Sequence, residues 1–200
     1  MPRVKKIMIK EKLKKKEIGI EKNLDILEKQ ASDKYIYLAL GSNLKSKFGS
    51  RIRNLEIAQL FLINEGIEIL TRSSYYESKS YPNINYPKFI NCIIKISTSY
   101  SPEKLMHLIL KIEKKIGRIR KIKNEPRVCD IDIIDYKSKV ISTKNKPYLI
   151  IPHELIHKRS FVLFPLSEVN PNWIHPKLHI NIRQLLNKLN KSDFNSIKKI

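Results

Sequence analysis

The hydrophobic pattern of the chain changes character at Lys34. Before it, apolar positions are sparse. Ile18, Ile20, Leu24, Ile26 and Leu27 show some helical spacing but weak capping, behind a basic opening of Lys5, Lys6, Lys10, Lys12, Lys14, Lys15 and Lys16. Residues 1–33 therefore read as an N-terminal lysine-rich extension, partly disordered or helical, and residues 34–200 as one domain. Within that domain the periods are regular. Residues 35–40 are aromatic and aliphatic and stop at Gly41-Ser42-Asn43, which predicts a strand and a turn. Residues 50–64 place Ile52, Leu55, Ile57, Ala58, Leu60 and Phe61 on the apolar face of a helix. A strand is expected over 67–76, then a long polar loop over 77–87 carrying Ser78, Ser80, Pro82, Asn83, Asn85 and Pro87. Residues 89–98 alternate as a third strand. Ser101 and Pro102 suit the start of a helix that runs over 105–116 and ends at Gly117. A basic loop over 118–127 leads into a strand over 128–135. A short helix near 161–167 and a last one near 182–189 complete the reading. The order β-α-β-β-α-β is the split βαβ arrangement, an α+β, ferredoxin-like βαββαβ core with a C-terminal helical extension.

Length and composition narrow the class. Two hundred residues, 42% hydrophobic and 30% charged, suit a globular domain with a real core. No apolar run approaches the roughly 18 residues a membrane helix needs. No apolar segment follows the basic opening, so a secretory signal is not expected. Glu11, Glu17, Glu21, Asp25 and Glu28 argue against a transit peptide. Two cysteines, Cys92 and Cys129, form neither a disulfide framework nor a metal finger, and a cytoplasmic setting is expected. The net charge is +21, which draws polyanions. The lysines are scattered along the whole chain, however, and heavy Lys, Ile and Asn usage suggests compositional bias. The charge reads as solvated surface ahead of a nucleic-acid stripe.

The sharpest chemical feature is Asp130-Ile131-Asp132-Ile133-Ile134-Asp135. Alternate residues of a strand share a face, so Asp130 and Asp132 point the same way while Ile131 and Ile133 face an apolar layer. Neighbouring carboxylates repel and tend to keep a proton between them. A hard cation relieves this, and Mg²⁺ takes one or two carboxylates and lets phosphates and water complete its shell. A lone Asp-x-Asp is most simply a solvated edge. Here Arg118, Arg120, Lys121, Lys123 and Arg127 lie upstream, and His153, His157, Lys158 and Arg159 follow. Arginine forks match phosphate oxygens. Carboxylates for Mg²⁺ between two basic loops suit phosphoryl-type transfer from a nucleoside triphosphate, without a Walker loop or a kinase glycine-rich loop.

The same residues carry a family resemblance. Glu125-Pro126-Arg127-Val128-Cys129-Asp130-Ile131-Asp132-Ile133-Ile134 resembles the signature of 6-hydroxymethyl-7,8-dihydropterin pyrophosphokinases. Ala39-Leu40-Gly41-Ser42-Asn43-Leu44, Ser74-Tyr75-Tyr76-Glu77-Ser78, Phe89-Ile90-Asn91 and the segment from Ile151-Pro152-His153 to Arg159-Ser160-Phe161-Val162-Leu163 resemble further family segments, in the family's order over residues 35–176. The resemblance implies a ferredoxin-like enzyme of folate biosynthesis that moves pyrophosphate from ATP to the pterin hydroxymethyl group and releases AMP. It implies two Mg²⁺ ions on Asp130 and Asp132. It implies ATP contacts from Glu113, Arg118, Arg120, Arg127, His153 and Arg159, with Arg120 and Arg127 also catalytic. It implies a pterin held between Phe89 and Phe161, read by Asn91, with Ser78 as a hydroxyl-bearing loop position. Such enzymes are often monomers, and neither a membrane nor nucleic acid is expected as the main partner.

This chain departs from the family pattern in places. Asn124-Glu125 stands where the family often has Trp-Gly, the loop between Arg120 and Arg127 is one residue shorter, and Lys79 and Tyr81 replace a usual proline and leucine. Two other readings stay open from sequence. One is a basic nucleic-acid-binding protein on the same scaffold, since fold alone does not assign function. The other is a member that has lost activity.

Overall fold

A computed structural model describes residues 35–119, 122, 124–144 and 148–200. The extension expected over residues 1–33 and the site residue Arg120 lie outside the described residues. The central sheet is antiparallel. Strand β1 (Ile36–Ser42) is flanked by β4 (Phe89–Ser97) and β5 (Asp130–Tyr136). Helix α1 (Arg51–Asn64) follows β1, and α2 (Pro102–Ile116) links β4 to β5. Ser50 caps α1 by accepting the Arg53 amide, and Ser101 caps α2 by accepting the Lys104 amide. Gly117 ends α2 at φ +111°, a left-handed conformation that suits glycine.

The single strand expected over 67–76 is in fact two. β2 (Glu68–Arg72) and β3 (Tyr76–Ser78) pair with different halves of the nine-residue β4. The reason is local. The Ser73 amide donates to the Ile93 carbonyl (2.9 Å), and the Ser73 hydroxyl accepts the Ile93 amide (2.9 Å). A side chain thus completes the pairing where the strand breaks. Glu77 and Ser78 consequently belong to β3, and the loop begins after them.

α1 and α2 cover one sheet face around Leu38, Leu40, Ile94, Ile96, Leu55, Leu62 and Ile109. The other face packs under α3 (Ser160–Val169) and α4 (Ile182–Asn187), around Tyr37, Ile93, Ile134, Leu163, Leu166 and Trp173. The last segment differs from the purely helical extension expected. α4 stops at Asn187, and a short helix α5 (Lys191–Asn195) leads to a strand that pairs with β3. That strand is numbered after a two-stranded ribbon, β6 (Ile141–Ser142) with β7 (Ile150–Ile151), and is β8 (Ile197–Lys199). No helix among the described residues is long and apolar enough to cross a membrane.

Trp173, the sole tryptophan, is fully buried, and its indole N–H donates to Asp135 (2.7 Å), which also accepts the Ser138 amide (2.8 Å). This bond fastens the second layer to β5. Trp173→Phe is expected to lower stability by about 1–3 kcal/mol, because a buried carboxylate loses a donor and the site loses packing volume. Urea unfolding followed by circular dichroism measures it.

Candidate active site

The sheet register gathers the candidate residues. Asn91 lies opposite Gly41, and Gly41 lies opposite Asp130. One strand over, Tyr76 faces Asn91 and Ser78 faces Phe89. Directly opposed residues of an antiparallel pair share a face, as do residues two apart. Ser78, Phe89, Asn91, Asp130 and Asp132 therefore all project from the α3-covered face. Strand spacing puts the Asn91 and Asp130 rows about 10 Å apart, with β1 between them. Gly41 supplies the floor. A Cβ there would lie 3.2 Å from Asn91 Oδ1 and 3.5 Å from the Phe89 ring. Only a residue without a side chain keeps that space open.

On the acidic side, Arg127 Nε (2.8 Å) and Nη2 (2.5 Å) donate to Asp130 Oδ2, and Arg118 Nη1 donates to Asp130 Oδ1 (2.5 Å). Arg118 also pairs with Glu113. Glu113 is 1% exposed, and its Oε1 accepts the Ile131 amide (2.9 Å). Its carboxylate braces Arg118 and strand β5.

The two aspartates are electrostatically unequal. Burial alone would raise the Asp130 carboxyl, but Arg127 and Arg118 outweigh it and hold the group below its ordinary value. Burial and then the Asp130 charge push Asp132 up to about 7. Among the described residues no group of three or more His, Cys, Asp or Glu is placed to hold a metal. The acidic pair alone suits Mg²⁺, which accepts one or two carboxylates when phosphates supply the remaining oxygens. The donors are hard oxygens, and Asp132 is a carboxylate whose ionised form lacks a charge partner close enough to offset burial. The pair therefore fits the ion. A metal ion held by Asp132 would have to displace the proton that this carboxyl keeps below about pH 7. Mg²⁺ affinity is expected to rise about tenfold per pH unit up to that point and then level off. Calorimetry in two buffers of different ionisation enthalpy measures the proton release.

The basic side is set by the 3-10 turn Ile156–Lys158 and the start of α3. His153 Nδ1 accepts the Leu155 amide (3.1 Å), and the other ring nitrogen is Nε2. That nitrogen lies 3.3 Å from Arg159 Nη1. The two groups lie within side-chain hydrogen-bond distance, in roles that the imidazole tautomer sets, and the remaining Arg159 N–H groups stay available to an anionic oxygen. Burial and then Arg159 hold the His153 imidazole below its ordinary value. Burial lowers the Arg159 guanidinium, with Asp132 and Asp130 pulling the other way.

The aromatic positions lie beside this charge. The Arg127 guanidinium is 5.1 Å from the Phe89 ring centroid, and Arg159 is 5.6 Å from Phe161. Asn91 Nδ2 donates to Ser78 Oγ (2.9 Å). Ser78, Phe89, Asn91, Asp130, Asp132, Arg118 and Arg127 are thus connected through one sheet face, and His153, Arg159 and Phe161 come from the segment that covers it.

Two buried asparagines escaped the sequence reading. Asn43 Oδ1 accepts the Arg127 amide (2.6 Å), and its Nδ2 donates to the Pro87 carbonyl (3.0 Å) and Ser80 Oγ (3.4 Å). Asn54 Nδ2 donates to Ser42 Oγ (3.3 Å), the Leu44 carbonyl (2.9 Å) and the Val128 carbonyl (3.1 Å). The available signal was Asn54 itself, an amide on the apolar stripe of α1.

The family model described as 7,8-dihydro-6-hydroxymethylpterin-pyrophosphokinase matches residues 37–171. The 2-amino-4-hydroxy-6-hydroxymethyldihydropteridine pyrophosphokinase of Aquifex aeolicus is 40% identical over 141 residues, covering 70% of this chain and 83% of that protein. The folic acid synthesis protein FOL1 of Dictyostelium discoideum is 37% identical over 181 residues, covering 90% of this chain. The chain spans only 26% of that longer relative. A crystal structure of Plasmodium falciparum HPPK-DHPS with pteroate superposes with a TM-score of 0.62 over 83% of this chain and 47% of that one. At 17% identity it supports the fold alone.

Proposed function

The chain belongs to the 7,8-dihydro-6-hydroxymethylpterin-pyrophosphokinase family, and from that premise we propose how its residues divide the work. It is an ATP-dependent pyrophosphokinase of folate synthesis. It moves the terminal pyrophosphoryl group of ATP to the hydroxymethyl oxygen of 6-hydroxymethyl-7,8-dihydropterin and releases AMP. We read its core as ferredoxin-like, on the β-α-β-β-α-β order and the β5-β1-β4 arrangement, and the catalytic domain as residues 34–200. Two Mg²⁺ ions, a monomer and a cytoplasmic setting belong to the same reading.

The observation that carries it is the single row Asn91–Gly41–Asp130 across three strands. It sets an amide and an aromatic ring beside a space and a carboxylate pair on its far side. A flat heteroaromatic ring fills such a space, stacked on Phe89 and Phe161, while Asn91 offers a donor and an acceptor to its edge. Ser78 holds the Asn91 amide in orientation. Asp130 and Asp132 would hold Mg²⁺, which would supply charge neutralisation for the triphosphate. His153 and Arg159 donate to phosphate oxygens from the opposite loop. Arg127 and Arg118 sit on Asp130 in this structure. Both guanidinium groups keep further N–H donors that could reach phosphate beside the carboxylate pair. No side chain is required as a nucleophile. Cys129 is buried, and burial pushes its thiol far above the range in which a thiolate forms.

Phosphorus NMR of the products tests the assignment of the reacting centre. Attack at the β-phosphorus yields AMP and a pterin diphosphate ester. ADP with a pterin monophosphate would mean attack at the γ-phosphorus and would overturn the reading.

A further inference from the structure

We propose that the segment 190–200, acting with Glu168, is a positioning strap that sets pterin affinity. The proposal rests on the functional reading above. β3 is only three residues long, yet it carries Ser78 and leads directly into the loop over 79–88. A strand that short has little stability of its own and needs pairing on both edges. β4 supplies one edge. β8 supplies the other, with Tyr76, Glu77 and Ser78 opposite Lys199, Lys198 and Ile197. The Ile200 amide extends the pairing by donating to the Tyr75 carbonyl (3.0 Å).

Glu168 of α3 fastens this assembly from the side. Its carboxylate accepts the Ser74 amide (2.7 Å) and the Tyr76 hydroxyl (2.7 Å), and it pairs with Lys199. One acid thus joins the approach to β3, β3 itself, and β8. Burial would raise this carboxyl, but Lys199, Tyr76 and the Ser74 amide outweigh it and keep the group ionised. The same segment also reaches the other wall of the site. Phe194 meets Phe164 edge-on at 5.0 Å, and Ser196 Oγ lies 3.4 Å from Ser160 Oγ, beside Phe161. Segment 190–200 therefore bridges the strand that bears Ser78 and the helix start that bears Phe161. Both walls of the proposed pterin space depend on it, while the Asp130–Arg127 side makes no contact with it in the bonds described.

Lys199→Glu places two like charges at the clasp and leaves the core untouched, since Lys199 is 59% exposed. Glu168→Ala removes the clasp, and Glu168→Gln restores one carbonyl acceptor, enough for the Ser74 amide or the Tyr76 hydroxyl but not for both, without the charge that pairs with Lys199. The full chain with each substitution is assayed for the KM of pterin and of ATP, alongside hydrogen exchange at residues 76–78. The expected result for Lys199→Glu and Glu168→Ala is a pterin KM raised about tenfold, with the ATP KM within about twofold of wild type. Exchange at residues 76–78 should accelerate, and Glu168→Gln should recover part of both effects. An unchanged pterin KM, an equal rise in both KM values, or unchanged exchange would overturn the strap. Wild-type turnover serves as the control. If the wild type releases no AMP, the functional reading fails on its own, and the exchange data still decide whether the clasp holds β3.

Discussion

Asp132→Asn is expected to reduce AMP release by about a thousandfold or more, because on the proposed reading it removes one of two carboxylates that would hold Mg²⁺ against the triphosphate. The same substitution is expected to make the metal-free protein more resistant to unfolding at neutral and alkaline pH. Asp132 keeps its proton up to about pH 7 in the fold, against an ordinary value of 3.8. Between those limits Asp132 binds more proton in the folded state than in the unfolded chain, so its own contribution to wild-type stability falls as pH rises from about 4 to 7. Asparagine carries no such proton. Its advantage grows across that window and is complete above it. Urea unfolding without metal at pH 5 and pH 8, together with initial rates, tests both halves. A variant that turns over like wild type would end the metal assignment. An inactive variant with no gain at pH 8 would show that the carboxyl is not penalised by burial and Asp130.

Asn43→Ala carries the second large effect. Asn43 is 2% exposed and stands where three loops meet. Its side chain holds the Arg127 amide on one side and the Pro87 carbonyl on the other. Its own amide, which alanine keeps, donates to the Arg127 carbonyl (3.0 Å). Truncation leaves the Arg127 amide without its acceptor, while Pro87 retains the Ser80 hydroxyl (2.6 Å). The cost to stability is expected to be about 1–3 kcal/mol. The cost to kcat/KM is expected to reach about a hundredfold, because Arg127 and the loop leading into Phe89 lose their common anchor. Asn43→Asp separates the two ties. It keeps the acceptor for Arg127, loses the donor to Pro87, and adds negative charge near Asp130. Steady-state kinetics should show both substrates affected in the alanine variant. A stability loss with unchanged kinetics would reduce Asn43 to a structural residue.

The contrast between Asp132 and Asn43 shows what sequence makes legible. The Asp-x-Asp pair is visible because period 2 on a strand converts spacing directly into a shared face. The core elements were legible for the same reason, since apolar periods mark α1, α2, β1, β4 and β5 with bounds that shift by only a few residues. β2 and β3 were read as one strand, because the hydroxyl of Ser73 breaks the ladder through a contact to Ile93 twenty residues away. β8 was missed because Ile197–Lys199 has no strand pattern of its own and exists through its pairing with β3. Asn43 was visible as a turn residue and as part of the Ala39–Leu44 segment, but not as an anchor, since that role arises from partners at Arg127 and Pro87. The bonds of Glu113 to Arg118 and the Ile131 amide were likewise not legible, since both partners come from other parts of the fold. In each case local pattern sufficed for local structure, while long-range polar bonds needed the fold.

The central claim is that a carboxylate pair and the space over Gly41 beside Phe89 and Asn91, on one sheet face, serve pyrophosphoryl transfer to a pterin. The most direct measurement is AMP release from ATP and Mg²⁺, with and without 6-hydroxymethyl-7,8-dihydropterin. The account predicts AMP only when pterin and Mg²⁺ are both present. No AMP from a folded protein that still binds ATP, or AMP formed equally without pterin, would contradict it.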